Sequence, residues 1–130
     1  MKTFNNTHGT TASEYSIGVG GAEARNIVLT AVCDSTDTEA LDKQSMPIEV
    51  NGIAFYDMRV IAKNILGQIA AKQLRGTINT TVTRIEDIFQ EEFSADVVLT
   101  SNGTTLTVTC KSTGSLTNYT IYTTIINVDI

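Results

Sequence analysis

The residues of this chain that could do chemistry are few, and their spacing assembles no recognisable reaction. The single histidine, His8, lies in a polar N-terminal stretch with no serine or cysteine nucleophile placed to pair with it. No catalytic triad can be laid out from these side chains. Cys33 and Cys110 each end an apolar run and share no Cys-x-x-Cys spacing, so with one histidine a zinc site lacks its usual ligands. They read as small hydrophobes in neighbouring strands. A disulfide between them is the sharper alternative, disfavoured in a reducing compartment. The run Asp34-Ser-Thr-Asp37-Thr-Glu39 gathers carboxylates, but without EF-hand spacing or its turn glycine it reads as a solvated acidic loop. Glu86, Asp87, Glu91 and Glu92 invite comparison with a glycosidase. That chemistry needs two carboxyls facing each other across a sugar-sized cleft, and the run reads instead as an acidic face in water. Gly18-Val-Gly20-Gly21 lacks the third glycine of a dinucleotide loop, which falls at Glu23, and has no strand before it or helix after it. It reads as a flexible joint. The expectation is a protein that is not an enzyme, with no metal and no cofactor.

Composition narrows the remaining roles. At 130 residues the chain has the size of one domain. Apolar residues make up 42% and charged residues only 18%, below the usual quarter, so Thr, Asn and Ser must cover the surface. Threonine suits the pleat of an exposed sheet. A net charge of -5, with nine scattered Lys and Arg, argues against nucleic acid and against anionic membranes. There is no apolar run long enough for a transmembrane helix and no secretory h-region at the N-terminus, so the expected setting is the host cytoplasm.

The elements follow from periodicity. Residues 1–21 are polar and Gly/Thr-rich, with Phe4, Tyr15, Ile17 and Val19 as their only larger apolar residues, and read as an extended arm. Residues 22–130 read as one all-β domain. Ile27, Leu29, Ala31 and Cys33 alternate as the inward side of the first strand. Pro47 marks a loop or edge strand, and Asn51-Gly52 reads as a hairpin turn joining a short PIEV strand to IAFYDMRVIA. In that second run Ala54, Tyr56, Met58, Val60 and Ala62 share one face, and Asp57 and Arg59 wet the other. Residues 68–79 read as strand rather than helix because Gly67 and Gly76 would each cost a helix ~1 kcal/mol. Over 84–92, Ile85, Ile88, Phe89 and Glu92 fit the stripe of a surface helix, and the choice between helix and strand stays open there.

The chain closes on its clearest signals. Phe93, Ala95, Val97 and Leu99 lead through Asn102-Gly103 to Leu106, Val108 and Cys110, a hairpin with one dry face and one threonine face. After a turn at 112–118, TNYTIYTTIINVDI is apolar on both sides, as in a strand that is central or covered by a partner. The predicted fold is an antiparallel, jelly-roll-like β-sandwich with an extended N-terminal arm.

The order of these motifs resembles a small β-sandwich module of tailed-bacteriophage virions, found in capsid decoration (cement) proteins and in tail-fibre modules. The resemblance covers about residues 22–130. It rests on IVLTAVCDSTDTEAL, on Phe55-Tyr-Asp-Met-Arg-Val60-Ile-Ala62-Lys63 and on Ala70-Ala71-Lys-Gln-Leu-Arg-Gly76-Thr-Ile78. It continues through Phe93-Ser-Ala95-Asp-Val97, Leu106-Thr-Val108 and Ile121-Tyr122-Thr-Thr-Ile125. Phe93 and Tyr122 stand where the family commonly has Trp, and Lys111 where it commonly has Gly. The resemblance implies a virion structural protein that binds the major capsid protein or another virion protein, is assembled in the bacterial cytoplasm and forms a homotrimer. It leaves a tail-fibre, head-fibre or baseplate module that binds a host receptor or glycan as the alternative. The residues expected to touch partners are Phe4, Tyr15, Ile17 and Val19 in the arm and Tyr119, Tyr122 and Ile126 in the last strand.

Overall fold

Alternating β-branched and apolar residues commit this chain to strands, and strands of this length must bury one face. A computed structural model describes residues 9–17, 23–33, 43–50, 52–111 and 115–127. Among them are nine strands and no helix: β1 (Gly9–Ile17), β2 (Glu23–Cys33), β3 (Lys43–Glu49), β4 (Ala54–Asn64), β5 (Ile69–Ile78), β6 (Ile85–Glu91), β7 (Val97–Ser101), β8 (Thr105–Lys111) and β9 (Thr117–Asn127). Six form one antiparallel sheet in the order β1-β2-β9-β4-β5-β6, and three form a second, β3-β8-β7. Their inward faces share one hydrophobic core, so the fold is the expected all-β sandwich. Within the segment read as an arm, residues 9–17 form β1, an edge strand of the large sheet paired antiparallel with β2 of the same chain.

The core is written in period two. Ile27, Leu29, Ala31 and Cys33 of β2, Ala54, Tyr56, Met58, Val60 and Ala62 of β4 and Tyr119, Ile121 and Ile125 of β9 meet Leu106, Val108 and Cys110 of β8. Each fully buried Leu, Ile or Met in this set contributes roughly 1.5–3 kcal/mol. The last strand is central, flanked by β2 and β4, in keeping with its apolar character on both sides. The expected hairpin is present as β7–β8, turning at Gly103, whose φ of 95° favours glycine.

Two expectations are corrected. Cys33 and Cys110 lie not in neighbouring strands but in opposite sheets, with Cys33 Sγ donating to the Cys110 carbonyl across the core at 3.6 Å. The strands on either side of Asn51-Gly52 do not pair as the expected hairpin. β3 pairs with β8 while β4 pairs with β5 and β9, so this corner carries the chain from one sheet to the other. The switch follows from burial: Met46, Ile48 and Val50 complete the inner face of the small sheet, and Ala54 onwards that of the large one. Pro47 sits on β3, the edge strand, where its missing N–H costs no ladder bond.

The segment 84–92, open between helix and strand on its sequence, carries strand β6. Its helical spacing has a local cause. Between Ala71 and Lys72 the partner jumps from Gln90 to Ile88, and this bulge leaves Phe89 as an extra residue. β6 is the outer strand beyond β5, and none of its residues is buried, so no core face imposed strict alternation on it.

Two connections are built by specific side chains. In β5, a Cβ on Gly76 would come within 2.2 Å of the Thr83 carbonyl oxygen, so only glycine lets residues 79–83 fold back. Thr83 N–H donates to Thr77 O at 3.0 Å, and Tyr56 Oη donates to Thr83 O at 2.7 Å. After β4, buried Asn64 accepts from the N–H groups of Leu66 and Gln68 at 3.1 and 3.0 Å and donates to Gln68 Oε1 at 2.8 Å.

Candidate interaction surface

Among the described residues nothing covers the outer face of the large sheet, and this face is more apolar than a solvated sheet requires. On β4 the outward residues are Phe55, Asp57, Arg59, Ile61 and Lys63, with Phe55 53% and Ile61 48% exposed. On β9 they include Tyr122 at 51% and Ile126 at 43% exposed. Register brings them together, with Phe55 beside Ile126 and Arg59 beside Tyr122. Phe89 of β6, 71% exposed, rises beside them. Clustered apolar exposure of this kind marks interaction sites, whereas scattered single residues need no explanation.

The polar groups on this face are specifically held. Gln73 Nε2 donates to both carboxylate oxygens of Asp57, at 3.0 and 3.1 Å, and Arg75 pairs with Asp87 at 3.2 Å. The bulge at Phe89 opens a shallow pocket of about 350 Å³ lined by Arg59, Ile61, Ala71, Gln73 and Phe89. At the far end of β4, the Asn64 turn holds Ile65 and Leu66 outward, 70% and 74% exposed.

The acidic run is structural in its placement. Glu86 receives Lys72 Nζ at 3.1 Å and Arg84 at 3.2 Å, and Arg84 also donates to the Val97 carbonyl at 2.7 Å, tying β6 to the small sheet. Partial burial alone would raise the Glu86 pKa, but hydrogen bonds and charges from Lys72 and Arg84 outweigh it and hold the carboxyl below its ordinary range. Glu92 accepts the Ile69 N–H at 3.0 Å. These carboxylates brace an edge strand rather than facing each other. Among the described residues no group of three or more His, Cys, Asp or Glu is placed to hold a metal ion, and no helix is long and apolar enough to cross a membrane. His8, the 18–21 joint and the 34–39 loop lie outside the described residues, as do 112–114 of the last turn.

The expected partner residues divide. Tyr122 and Ile126 lie on the open face. Tyr119 does not: it is 1% exposed, and its Oη donates to the Lys111 carbonyl at 2.6 Å, so it is a core residue that no partner can reach. Tyr15 and Ile17 fall in β1, in register with Asn26 and Ala24. Phe4 and Val19 lie outside the described residues. Phe89 was hidden by the helical reading of its segment, and Ile65 and Leu66 by the break in pattern at 63–67. Phe55 and Ile61 were visible in the alternation of β4.

Fold and face together define the class: an all-β sandwich of two antiparallel sheets whose larger sheet turns an apolar, charge-studded face outward. Compared with protein-family models, with curated proteins and with solved structures, the chain has no match.

Proposed function

We propose that the protein is a non-enzymatic structural component of a tailed-bacteriophage virion, a capsid decoration or cement protein that binds the major capsid protein shell and stabilises it. The observation that carries this reading is the open face of the large sheet. Phe55, Ile61, Phe89, Tyr122 and Ile126 lie there at 43–71% exposure on a rigid sheet, an arrangement whose free energy is recovered when other protein covers it. The motif resemblance supplies the setting. A cementing protein works by repetition: each contact buries on the order of 1,000 Å² or more, and symmetry multiplies it over the shell. The chain acts there as a homo-oligomer.

The test uses particles assembled without this protein. Their midpoint of thermal or pressure rupture should fall and be restored when purified protein is added back. An unchanged midpoint would overturn the cementing role, and binding of the purified protein to host cells would move it to a tail or head fibre.

A further inference from the structure

Four successive outward residues in the middle of β4 run Phe55, Asp57, Arg59, Ile61: apolar, acid, base, apolar, with Lys63 beyond them at the strand's end. That order is self-complementary. If two copies face each other across a two-fold axis in the plane of contact, perpendicular to the strands and level with Met58, each Asp57 meets the other copy's Arg59. Each Phe55 then meets the other copy's Ile61. We propose that the partner of this face is a second copy of this chain, docked in that register.

Several observations favour the arrangement independently. The side chain of Phe55, 53% exposed, would arrive where the pocket of about 350 Å³ lies, because that pocket is lined by Ile61 and Arg59 together with Ala71, Gln73 and Phe89. Arg59 makes no hydrogen bond or ion pair among the described residues, and Asp57 accepts only from Gln73, leaving lone pairs for a second donor. Neighbouring strands also tolerate the axis. Met58 is in register with Thr123, so on β9 the axis sets Tyr122 opposite Thr124 and Ile126 opposite Thr120, and on β5 it sets Gln73 opposite Arg75. No like charges meet. At ~4.8 Å between strands and ~3.4 Å per residue, β2, β9, β4, β5 and β6 offer a face of roughly 24 by 34 Å, on the order of the 800 Å² per partner of a standard interface. The two Asp57–Arg59 pairs contribute register more than affinity, since their desolvation offsets much of their attraction.

This deepens the assembly reading above by naming the contact between copies, and rests on that reading only in that the chain assembles. A self-complementary face closes as a two-fold, not as the trimer implied by the resemblance. The experiment is light scattering on a sizing column and sedimentation equilibrium with the purified full chain, free of shells. Wild type should be a dimer. Arg59→Asp, at an exposed position, should keep the wild-type circular dichroism spectrum yet weaken dimerisation about tenfold or more, because carboxylates then face carboxylates. The double exchange Asp57→Arg with Arg59→Asp should restore the dimer, since the swapped pattern is again self-complementary. Phe55→Ser should weaken it without touching the charges. A monomeric wild type, a trimer indifferent to Arg59→Asp, or a double exchange no better than the single one would each overturn the proposal. A monomer that still protects shells would overturn this inference alone, and a dimer whose absence leaves shells unaffected would overturn only the cementing role.

Discussion

Thr123→Val should make this protein more stable. Thr123 sits on the inward side of β9, in register with Ile27 and Met58, 2% exposed, and its Oγ1 is buried without a hydrogen-bond partner. A buried hydroxyl in that state costs ~1–3 kcal/mol of unrecovered desolvation. Valine has the same branched shape and the same stiffness about χ1, so the exchange disturbs neither packing nor rotamer freedom. It removes the penalty and adds a buried methyl group, giving a net gain of about 1–3 kcal/mol. For a chain of this length that corresponds to a rise in Tm of about 3–10 °C. Thermal unfolding followed by circular dichroism reads the shift, and urea titration should move the midpoint while leaving the slope unchanged. A Tm equal to or below wild type would mean that the hydroxyl is held by a partner and that the packing described at the centre of β9 is wrong.

Further outcomes follow from the same structure. Gly76→Ala places a Cβ within 2.2 Å of the Thr83 carbonyl oxygen and should destabilise the fold by about 1–3 kcal/mol, read as a fall in urea midpoint. Asn64→Ala removes the acceptor of the Leu66 and Gln68 N–H groups and should cost about 1–3 kcal/mol, with faster hydrogen exchange at those two amides. Burial raises the pKa of Tyr56, Cys110 and Tyr119, so all three stay protonated in the folded state where the unfolded chain would ionise. Their contribution is whole below the unfolded values, about 8.5 for Cys and about 10 for Tyr, and is lost as pH rises through the folded ones. Tm should therefore decline from about pH 8.5 upwards, and Tyr119→Phe should flatten part of that decline.

What the sequence made legible was set by how strongly burial constrained each segment. β2, β4, β8 and β9 each have a dry face, and their alternation placed Leu29, Met58, Val108 and Ile121 in the core. β6 has no buried residue, so nothing enforced period two, and the bulge at Phe89 turned its spacing into an imitation of a helix. The turn at 51–52 looked like a hairpin because turn chemistry is local, whereas the choice between reversing and changing sheets depends on which sheet needs Ile48 and Val50. The interaction surface was half legible for a simple reason. Tyr119 and Tyr122 are three residues apart, and in a strand an odd interval puts two side chains on opposite faces, so only Tyr122 looks outward.

The central claim is that the protein is a repeated component of a virion shell, assembling through the open face of its β-sandwich. Imaging purified particles by electron cryomicroscopy, with and without this protein, tests it most directly. Density for the sandwich should appear at repeated, symmetry-related positions on the shell and vanish from particles made without it; density confined to the tail, or no difference between the two preparations, would contradict the account.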